Sequence, residues 1–450
     1  MARPKTSYVC GSCGAHTPQW QGQCPACQAW NTLELAVAVS SMNAPRRTAV
    51  AGPVSRTVTQ VTQEADVRAL TGIGELDRVL GGGLVAGSVV LLGGDPGIGK
   101  STLLLQAADA LSRERPVLYV SGEESVRQVA LRARRLGLEA TELRLAAETR
   151  VEAILDEASA SRAQVLVVDS IQTMQTELSE SSAGSAVQVR ESAAQLVRFA
   201  KGSGVAVLLI GHVTKEGLIA GPRILEHMVD TVLYFESDPG SRYRVIRAVK
   251  NRFGAANELG VFAMAEQGLR EVRNPSAIFL SRHPQPVAGS VVTVVREGSR
   301  PLLVELQALV DEAQGMNPRR VTVGFESSRL ALLLAVLHRH GGVSTAGSDV
   351  FVNVVGGVRI GETSADLPAV LATLSSLRDK PLANDTVVFG ELGLTGEIRP
   401  VPFGEERLRE AAKQGFKRAL VPEGNVPRKP IDGIEVHGVG RLLDALQIAL

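Results

Sequence analysis

The sequence predicts an α/β protein whose central domain is a parallel β-sheet covered on both faces by helices. Two observations predict this fold. Between residues 66 and 272, continuous apolar runs typical of buried parallel strands alternate with segments of helical periodicity. One of these runs leads through a glycine-rich loop into a helix. The chain has 450 residues, 44% of them hydrophobic and 21% charged, so it is long enough for about three folded domains and is not a disordered protein.

The first domain, residues 1–35, is predicted to be a small zinc finger. It contains all four cysteines of the chain as two CxxC pairs separated by ten residues: Cys10, Cys13, Cys24 and Cys27. Each pair places two thiolates on one turn, and two such turns complete the tetrahedral shell of a structural Zn²⁺ site. A redox dithiol would instead require one CxxC within a βαβ fold, which the flanking sequence does not predict. His16 lies between the pairs and is not needed, because four thiolates fill the shell.

Residues 36–65 are predicted to be a linker. Up to residue 62 they are small or polar, include Pro45 and Pro53, and contain no aspartate or glutamate. Such a composition, carrying arginines, is typical of an extended and solvated connection. The whole chain has a net charge of +1, but this average hides the basic N-terminal segment and therefore does not exclude binding to nucleic acid.

The second domain, residues 66–272, contains the alternating strands and helices. Apolar runs predict strands at residues 88–92, 116–120, 165–168 and 205–210, and helical spacing predicts helices at 101–111 and 126–136.

The loop after the first of these strands predicts a nucleotide site. It matches GxxxxGK[ST] in full and consists of Gly94, Asp95, Pro96, Gly97, Ile98, Gly99, Lys100, Ser101 and Thr102. In this motif the backbone N–H groups and the positive end of the following helix bind the phosphates of ATP. Lys100 is expected to reach the β- and γ-phosphates, and Ser101 to hold Mg²⁺.

Polar side chains follow three other strands and are expected at the same edge of the sheet. Asp169 follows the run 165–168, like the Walker B acid that serves Mg²⁺ in P-loop enzymes. The alternative, an aspartate that caps a helix before Ser170, is plausible in isolation but fits poorly beside a P-loop. Glu123 and Glu124 follow the run 116–120 and are candidates for activating water, the alternative being solvated surface acids. His212 follows the run 205–210 and is a candidate for sensing the γ-phosphate, although a lone histidine more often has no such role.

A basic segment lies near the end of the second domain. Between residues 242 and 253 there are five basic residues and no acid: Arg242, Arg244, Arg247, Lys250 and Arg252. The alternation in RYRVIRAVK predicts a strand with one basic face. The alternative is an ordinary solvated edge strand.

The third domain, residues 286–450, is predicted to be a compact α+β unit that follows a proline-containing boundary. The pattern predicts strands at 290–295, 302–309, 321–324, 350–354 and 386–390, and helices at 330–340, 367–378 and 405–414.

A membrane location is not predicted. No segment approaches the roughly 20 apolar residues of a membrane-spanning helix. The basic N-terminus is not followed by the apolar run of a signal peptide. We therefore expect a cytoplasmic protein.

Together these motifs resemble the RecA, DnaB and KaiC class of P-loop ATPases, and more closely the bacterial RadA (Sms) family of DNA repair and recombination ATPases. The resemblance covers essentially the whole chain, including the finger and a C-terminal Lon-protease-like domain. It rests on TGIGELDRVLGGGL (71–84), LLGGDPGIGKST (91–102), YVSGEES (119–125), VLVVDSIQTM (165–174), HVTKEG (212–217) and KNRFG (250–254). It implies that the second domain is a RecA-like P-loop ATPase core.

The resemblance also implies roles for particular residues. Glu123 matches the family's water-activating glutamate. Lys250 and Arg252 of KNRFG match a motif that couples ATP hydrolysis to work on DNA, and they are expected to act on the neighbouring subunit of a ring, expected to be a hexamer. DNA contacts are expected in the loops 175–185 and 215–226, with Lys215 and Arg223 as phosphate contacts.

The activity implied is that of a DNA-dependent ATPase acting on single-stranded and branched DNA in recombinational repair. It is expected to promote branch migration of recombination intermediates with a RecA-type recombinase, with the replicative helicase as a further partner and with helicase activity of its own left open. ATP, Mg²⁺ and Zn²⁺ are the implied cofactors.

The Lon-like domain departs from the protease pattern. Lon proteases use a Ser–Lys dyad, and Ser364 keeps the serine position within ETSAD (362–366). The stretch GEIRPVPFGE (396–405), however, puts Glu405 at the lysine position. A serine without a nearby amine is a weak nucleophile, so we expect a proteolytically inactive scaffold. Its basic residues are candidates for lining a DNA path, including Arg319, Arg320 and Arg359.

Two alternatives come from other functional classes. The first is an ATP-dependent serine protease of the Lon type, which Glu405 disfavours. The second is a KaiC-like signalling ATPase with protein partners and no DNA, which leaves the finger and the basic KNRFG strand unexplained.

Overall fold

The structure, a computed structural model, divides into two compact units, Met1–Glu271 and Val272–Leu450. It describes residues 7–11, 13–36, 68–139, 141–212, 224–237, 243–272, 274–281, 285–315 and 317–449. The predicted linker lies almost wholly outside the described residues, as do Lys215, Arg223 and Arg242. Across the described ranges, no helix combines the length and apolar character needed to cross a lipid bilayer.

The N-terminal finger is a three-stranded antiparallel sheet of β1 (Ser7–Cys10), β2 (His16–Thr17) and β3 (Leu33–Ala36), in the order β2-β1-β3. Its small core consists of Cys10, Cys24 and Leu33. Such a core buries little apolar surface, so a bound metal is needed to stabilise the fold.

The rest of the first unit is built on one nine-stranded sheet. Its strands are β4 (Val89–Gly94), β5 (Val117–Ser121), β6 (Arg144–Ala147), β7 (Val165–Asp169), β8 (Ala206–Ile210), β9 (Thr231–Glu236), β10 (Tyr243–Asn251), β11 (Leu259–Ala265) and β12 (Gly268–Glu271). They lie in the order β12-β11-β10-β9-β4-β8-β7-β5-β6. From β9 to β6 neighbouring strands are parallel, and β10, β11 and β12 extend the sheet in antiparallel fashion.

Helices cover both faces of this sheet. They are α1 (Gly74–Leu80), α2 (Lys100–Ser112), α3 (Val126–Arg135), α4 (Val151–Ala160), α5 (Ala186–Ser203) and α6 (Ile224–Met228). Alternate strand residues point to opposite faces: Tyr119 joins the apolar cluster of α1, α2 and α3, whereas Leu118 joins that of α4 and α5. The predicted parallel sheet with helices on both faces is confirmed.

The basic strand differs from its prediction. Arg244 and Arg247 are three residues apart on β10, so they lie on opposite faces, and Arg244 shares its face with buried Ile246 and Ala248. A bulge between Ala248 and Lys250 then shifts the register. The prediction of one basic face is therefore wrong, because the arginine spacing does not follow the period of two.

The second unit has a seven-stranded mixed sheet and, within its described residues, four α-helices. The strands are β13 (Ser290–Glu297), β14 (Arg300–Glu312), β15 (Arg320–Val323), β16 (Ser348–Val354), β17 (Thr386–Val388), β20 (Arg418–Pro422) and β21 (Glu435–Val439), with β18 (Glu391–Leu392) and β19 (Ile398–Arg399) as a separate pair. The helices are α7 (Ser327–Gly341), α8 (Asp366–Arg378), α9 (Gly404–Lys413) and α10 (Leu442–Ala449). The sheet order is β15-β16-β14-β13-β17-β20-β21.

This unit starts before residue 286. Phe279 is buried, and its carbonyl oxygen accepts a hydrogen bond of 2.9 Å from the N–H of Glu305 on β14. The α+β architecture predicted for the C-terminal domain is confirmed.

Candidate functional site

The glycine-rich loop lies between β4 and α2, at the carboxyl edge of the parallel strands. Gly94 ends β4 and Lys100 begins α2. The N-cap residue Gly99 gives the first turn of α2 no side-chain hydrogen bond, which leaves the N–H groups of that turn free to bind phosphate.

Two glycines allow the backbone to take this path. Gly94 has φ +153°, and a Cβ atom there would lie 2.7 Å from the carbonyl oxygen of Phe235. Gly99 has φ +117°, and its Cβ atom would lie 3.2 Å from side-chain atoms of Met264 and Leu269. Any side chain at these positions would therefore strain the backbone and push the loop away from its neighbours.

Lys100 is buried within the loop, with 4% of its surface exposed. Its Nζ donates hydrogen bonds to the carbonyl oxygens of Gly94 (2.7 Å) and Asp95 (2.8 Å). Burial lowers the pKa of the ammonium group, and the negative charges of Asp169, Asp95 and Glu123 partly offset this effect. The lysine thus belongs to the same electrostatic cluster as the acids of this edge.

Asp169 is the last residue of β7 and is 6% exposed. Its Oδ2 accepts a hydrogen bond of 2.6 Å from the hydroxyl of Tyr119 on β5. Burial, followed by the charge of Asp169, raises the pKa of Tyr119 well above its ordinary value, so the phenol stays a neutral donor. A buried carboxylate together with the Ser101 hydroxyl in the first turn of α2 is an oxygen donor set that fits Mg²⁺.

Glu123 lies beside these residues, just after β5. Its Oε1 accepts a hydrogen bond of 2.6 Å from the Ser170 hydroxyl and lies 3.3 Å from Nε2 of His212. Burial opposes ionisation of this carboxyl, but the hydrogen bonds from Ser170 and His212 and the charge of Lys100 outweigh it and lower the pKa. Glu123 is therefore ionised at neutral pH and able to accept a proton.

Its neighbour Glu124 has a different environment. The Glu124 carboxylate is paired with Arg132 of α3, and its N–H donates to the Ser121 hydroxyl. Because this carboxylate is neutralised by an arginine, Glu123 is the better candidate for a base.

The structure brings together Lys100, Asp169, Glu123 and His212, but it does not bring Lys250 and Arg252 to them. Lys250 pairs with Val232 of β9, which is level with Leu91 of β4. The N–H of Arg252 donates to the carbonyl oxygen of Asp230, whose own N–H donates to Val89 at the start of β4. At about 3.3 Å per residue, the start of β4 lies about 16 Å from its carboxyl end.

Lys250 and Arg252 both have hydrogen-bond partners near the start of β4, at the edge of the sheet opposite the glycine-rich loop. Lys250 Nζ donates to the carbonyl oxygens of Glu226 (2.7 Å) and Val229 (2.8 Å) at the end of α6. Arg252 Nη1 lies 3.2 Å from Oδ1 of Asp230, and Oδ2 of this buried carboxylate accepts a bond of 2.6 Å from Lys201. Within one chain, KNRFG therefore supports the end of α6 and the start of β9.

The loop 175–185 is anchored at its start. Oε1 of Glu152 on α4 accepts hydrogen bonds from the Thr176 hydroxyl (2.6 Å) and the N–H of Glu177 (3.2 Å). Burial opposes ionisation of Glu152, but its hydrogen bonds, including one of 2.9 Å from Gln195, outweigh burial and lower its pKa. Leu178, by contrast, is exposed. The other expected loop, 215–226, lies largely outside the described residues.

The four cysteines form the metal centre of the finger. Their sulfur atoms all lie within 4.8 Å of one another. The pairs Cys10–Cys27 and Cys13–Cys24 are each separated by 3.6 Å between Sγ atoms. A tetrahedron with Zn–S bonds of about 2.3 Å has sulfurs about 3.8 Å apart, so this geometry fits zinc. The zinc prediction is confirmed.

In the second unit, no lysine among the described residues contacts Ser364. The serine is 2% exposed, and its hydroxyl donates to Oε1 of Glu362 (2.7 Å). The cation in this cluster is Arg407, which is 1% exposed and binds both carboxylate oxygens of Glu362 at 2.8 and 2.7 Å. Glu405 points elsewhere, to Arg409 on the surface. Arginine does not deprotonate in proteins, so it cannot serve as the base of a Ser–Lys dyad.

Two of the three arginines suggested for a DNA path are engaged within the unit. Arg319 forms hydrogen bonds of 3.0 and 2.8 Å to Oδ2 of Asp349. Arg320 donates to the carbonyl oxygens of Ser348 and Thr345. Arg359 is exposed.

Sequence reasoning missed Tyr119 and Ser170. Tyr119 interrupts the aliphatic strand VLYVS. A phenol in a fully buried strand needs a hydrogen-bond partner, so this tyrosine could have indicated a polar partner at the edge of the sheet. Ser170 follows Asp169 directly and has no comparable pattern.

Three family models match parts of the chain. The model described as "AAA domain" matches residues 56–217. The model described as "Rubredoxin metal binding domain" matches residues 8–34, which include the four cysteines. The model described as "Subunit ChlI of Mg-chelatase" matches residues 325–425 of the second unit.

Curated relatives match over the full length. Proteins named "DNA repair protein RadA" are 58% identical in Pseudomonas aeruginosa (99% of each chain), 56% in Escherichia coli (99% of this chain and 98% of the other) and 47% in Bacillus subtilis (100% of each). Among solved structures, a KaiC-like protein from Pyrococcus horikoshii aligns with 46% of this chain and 99% of its own, at 22% identity and a TM-score of 0.39.

Proposed function

The chain belongs to the RadA family of DNA repair proteins, and from that premise we propose that it is a DNA-dependent ATPase acting on single-stranded and branched DNA in recombinational repair. The observation that carries the proposal is the cluster of Lys100, Asp169, Glu123 and His212 at the carboxyl edge of one parallel sheet. A phosphate-binding loop, a metal-binding carboxylate and an ionised base at one edge are the parts that ATP hydrolysis needs.

Each residue has a distinct task in this proposal. Residues 94–102 bind the ATP phosphates, with Lys100 exchanging its carbonyl partners for the β- and γ-phosphates. Ser101 and Asp169 would hold Mg²⁺, which would neutralise charge on the phosphates. Glu123 accepts a proton from the attacking water. His212 contacts Glu123 and so connects the base to the segment that follows β8.

Lys250 and Arg252 are proposed to act on the nucleotide of a neighbouring subunit. Their side-chain partners support this: Lys250 Nζ is bonded at the end of α6 and Arg252 to Asp230 beside the start of β4, so both are turned away from the loop of their own chain. A ring, expected to be a hexamer, satisfies the requirement that every subunit has a neighbour. To reach that site, Lys250 has to exchange its bonds to the end of α6 for bonds to phosphate.

The DNA contacts are proposed to follow the phosphate backbone. The loop 175–185 has two glutamates, Glu177 and Glu180, and no lysine or arginine. Phosphate contacts therefore fall to Lys215 and Arg223, and binding should weaken as salt rises. The work done by hydrolysis is proposed to be branch migration alongside a RecA-type recombinase, with the replicative helicase as a further partner.

The second unit is proposed to be a scaffold without peptidase activity. The buried Ser364–Glu362–Arg407 cluster supports this, because it lacks an amine that can take the serine proton.

The proposal is tested by measuring the ATPase rate of the full-length chain with and without single-stranded DNA, together with filter binding of labelled DNA across a salt series. We expect DNA to stimulate hydrolysis and binding to weaken with salt. ATP hydrolysis that DNA does not change, together with no salt-sensitive DNA binding, would favour a signalling ATPase. Ser364-dependent cleavage of casein would favour a protease.

A further inference from the structure

We propose that Tyr119 is a positioning residue for the metal-binding carboxylate of Asp169. Its hydroxyl fixes Oδ2, so that Oδ1 is turned to the divalent cation of the bound nucleotide. The inference rests on the proposed ATPase function and adds to it a role for Tyr119, which lies outside the glycine-rich loop and outside the strand that ends in Asp169.

The sheet register puts the two residues on the same face. Asp169 pairs with Ser121, and Tyr119 pairs with Val167, two residues earlier on each strand. Both side chains therefore project to the face covered by α2 and α3, and the phenol runs along the sheet toward its carboxyl edge. The contact of 2.6 Å from the Tyr119 hydroxyl to Oδ2 is typical of an O–H donor to an ionised carboxylate.

The tyrosine is held rigidly. It is 0% exposed and belongs to the apolar cluster that includes Leu103 and Val129. Among the described residues, the side chain of Asp169 has no hydrogen bond other than that from Tyr119. A carboxylate bonded through one oxygen to an immobile donor keeps one rotamer, and its other oxygen keeps one direction.

The chemical nature of the donor also matters. A neutral phenol orients Asp169 without removing its negative charge, which then acts in full on a divalent cation. A lysine or arginine in that place would neutralise the carboxylate. Arg132 of α3, whose charge acts on Tyr119, is paired with Glu124 instead.

The test is Mn²⁺ binding to the ADP complex of the full-length chain, measured by electron paramagnetic resonance of free Mn²⁺. We expect Tyr119→Phe to weaken Mn²⁺ binding about 10-fold, as loss of a residue that orients a metal ligand does, and to leave ADP binding without metal unchanged. The matched control is Tyr234→Phe, which removes another tyrosine–carboxylate hydrogen bond (3.0 Å to Glu226) in the same sheet and should not change Mn²⁺ affinity.

A second comparison separates positioning from a purely structural effect. In an Asp169→Asn background, adding Tyr119→Phe should cause no further loss of Mn²⁺ affinity, because the oriented carboxylate is already gone. Wild-type Mn²⁺ affinity in a folded Tyr119→Phe variant would overturn the inference and leave the ATPase proposal intact. Failure of the wild-type chain to bind ADP at all would instead overturn the ATPase proposal.

A second measurement keeps Tyr119 in place and therefore still tests the inference if the Tyr119→Phe variant does not fold. The chain has four tyrosines, Tyr8, Tyr119, Tyr234 and Tyr243. With 3-fluorotyrosine incorporated, phenylalanine substitution of the other three assigns the Tyr119 signal in the ¹⁹F spectrum. Adding Mg²⁺ to the ADP complex should shift that signal, and an unshifted signal would contradict the inference.

Discussion

The hydroxyl of Ser170 and the carboxylate of Glu123 lie 2.6 Å apart, and this bond joins the ends of two neighbouring strands, β7 and β5. The same Glu123 oxygen, Oε1, lies 3.3 Å from Nε2 of His212, which follows β8. One carboxylate thus receives contacts from two other strand ends, and no described residue forms a hydrogen bond to its Oε2, which is the oxygen proposed to face a water molecule. The edge of the sheet therefore positions Glu123, the proposed base.

Removing the Ser170 hydroxyl should change the pH dependence of hydrolysis. Burial raises the pKa of Glu123, and the Ser170 and His212 bonds lower it by more. Since the ionised form is the base, activity falls as pH drops through this pKa. In Ser170→Ala the pKa rises, so the acidic limb of the kcat profile should move to higher pH.

The matched control is Thr173→Val. Thr173 donates to the carbonyl oxygen of Ser170 at 2.8 Å, and in the described part of the chain it forms no hydrogen bond to Glu123. Its acidic limb should stay at the wild-type position. An identical limb in Ser170→Ala and wild type would show that Ser170 does not tune the base.

Mixed subunits test whether KNRFG acts on a neighbour. A Lys100→Ala subunit has a defective glycine-rich loop but keeps Lys250. A Lys250→Ala subunit keeps the intact loop but lacks the lysine proposed to reach its neighbour. Each alone should hydrolyse ATP slowly, and the mixture should regain activity, because one subunit completes the site of the other. The measurement is ATPase rate against mixing ratio.

Mixing Lys100→Ala with Glu123→Gln is the control for this experiment. Both defects lie at the same sheet edge, so no mixture can assemble a complete site and no recovery is expected. If the Lys100→Ala and Lys250→Ala mixture also fails to recover, Lys250 acts only inside its own subunit, at the end of α6.

Zinc should be stoichiometric with the finger. We expect one zinc per chain by elemental analysis, and Cys24→Ser should lose it, because Cys24 is both a ligand and part of the small core of the finger. Thr17→Val is the control, because the Thr17 hydroxyl donates to the carbonyl oxygen of Gln19 and Thr17 is not a zinc ligand. Full zinc content in Cys24→Ser would contradict the four-thiolate site.

Arg407 should matter for stability and not for peptide cleavage. Arg407→Met leaves the partly buried Glu362 carboxylate without its partner, so the free energy of opening of α9 should fall by about 2–3 kcal/mol, less than for a fully buried pair. Hydrogen exchange of the backbone amides of α9 measures this free energy of opening. Arg409→Met, which removes an exposed pair with Glu405 on the same helix, should cost no more than about 1 kcal/mol. Equal effects of the two substitutions would contradict a structural role for the buried cluster.

The sequence predicted strands well where every residue of the strand is buried. Strands β4, β5, β7 and β8 are buried at every residue, so they are continuous apolar runs, and the polar residues just after them necessarily lie at one edge. This is why Asp169, Glu123 and His212 could be placed near the loop. The cysteine spacing was sufficient to predict the zinc site because the four cysteines of the motif themselves supply the sulfur ligands.

Partly exposed strands were not predictable in the same way. Strands β6 and β12 have four residues each and exposed positions, so no apolar run marks them. The faces of β10 depend on a bulge that composition does not encode. The partner of Ser364 could not be predicted either, because Arg407 reaches it from a helix forty-three residues later in the chain.

The most direct test is single-turnover ATP hydrolysis by Glu123→Gln, compared with its ATP affinity. The amide keeps the size and the Ser170 hydrogen bond but cannot accept a proton from water. We expect ATP to bind with nearly wild-type affinity and hydrolysis to slow by about 100-fold or more. Hydrolysis at the wild-type rate would contradict the assignment of Glu123 as the base of a RadA-family ATPase site.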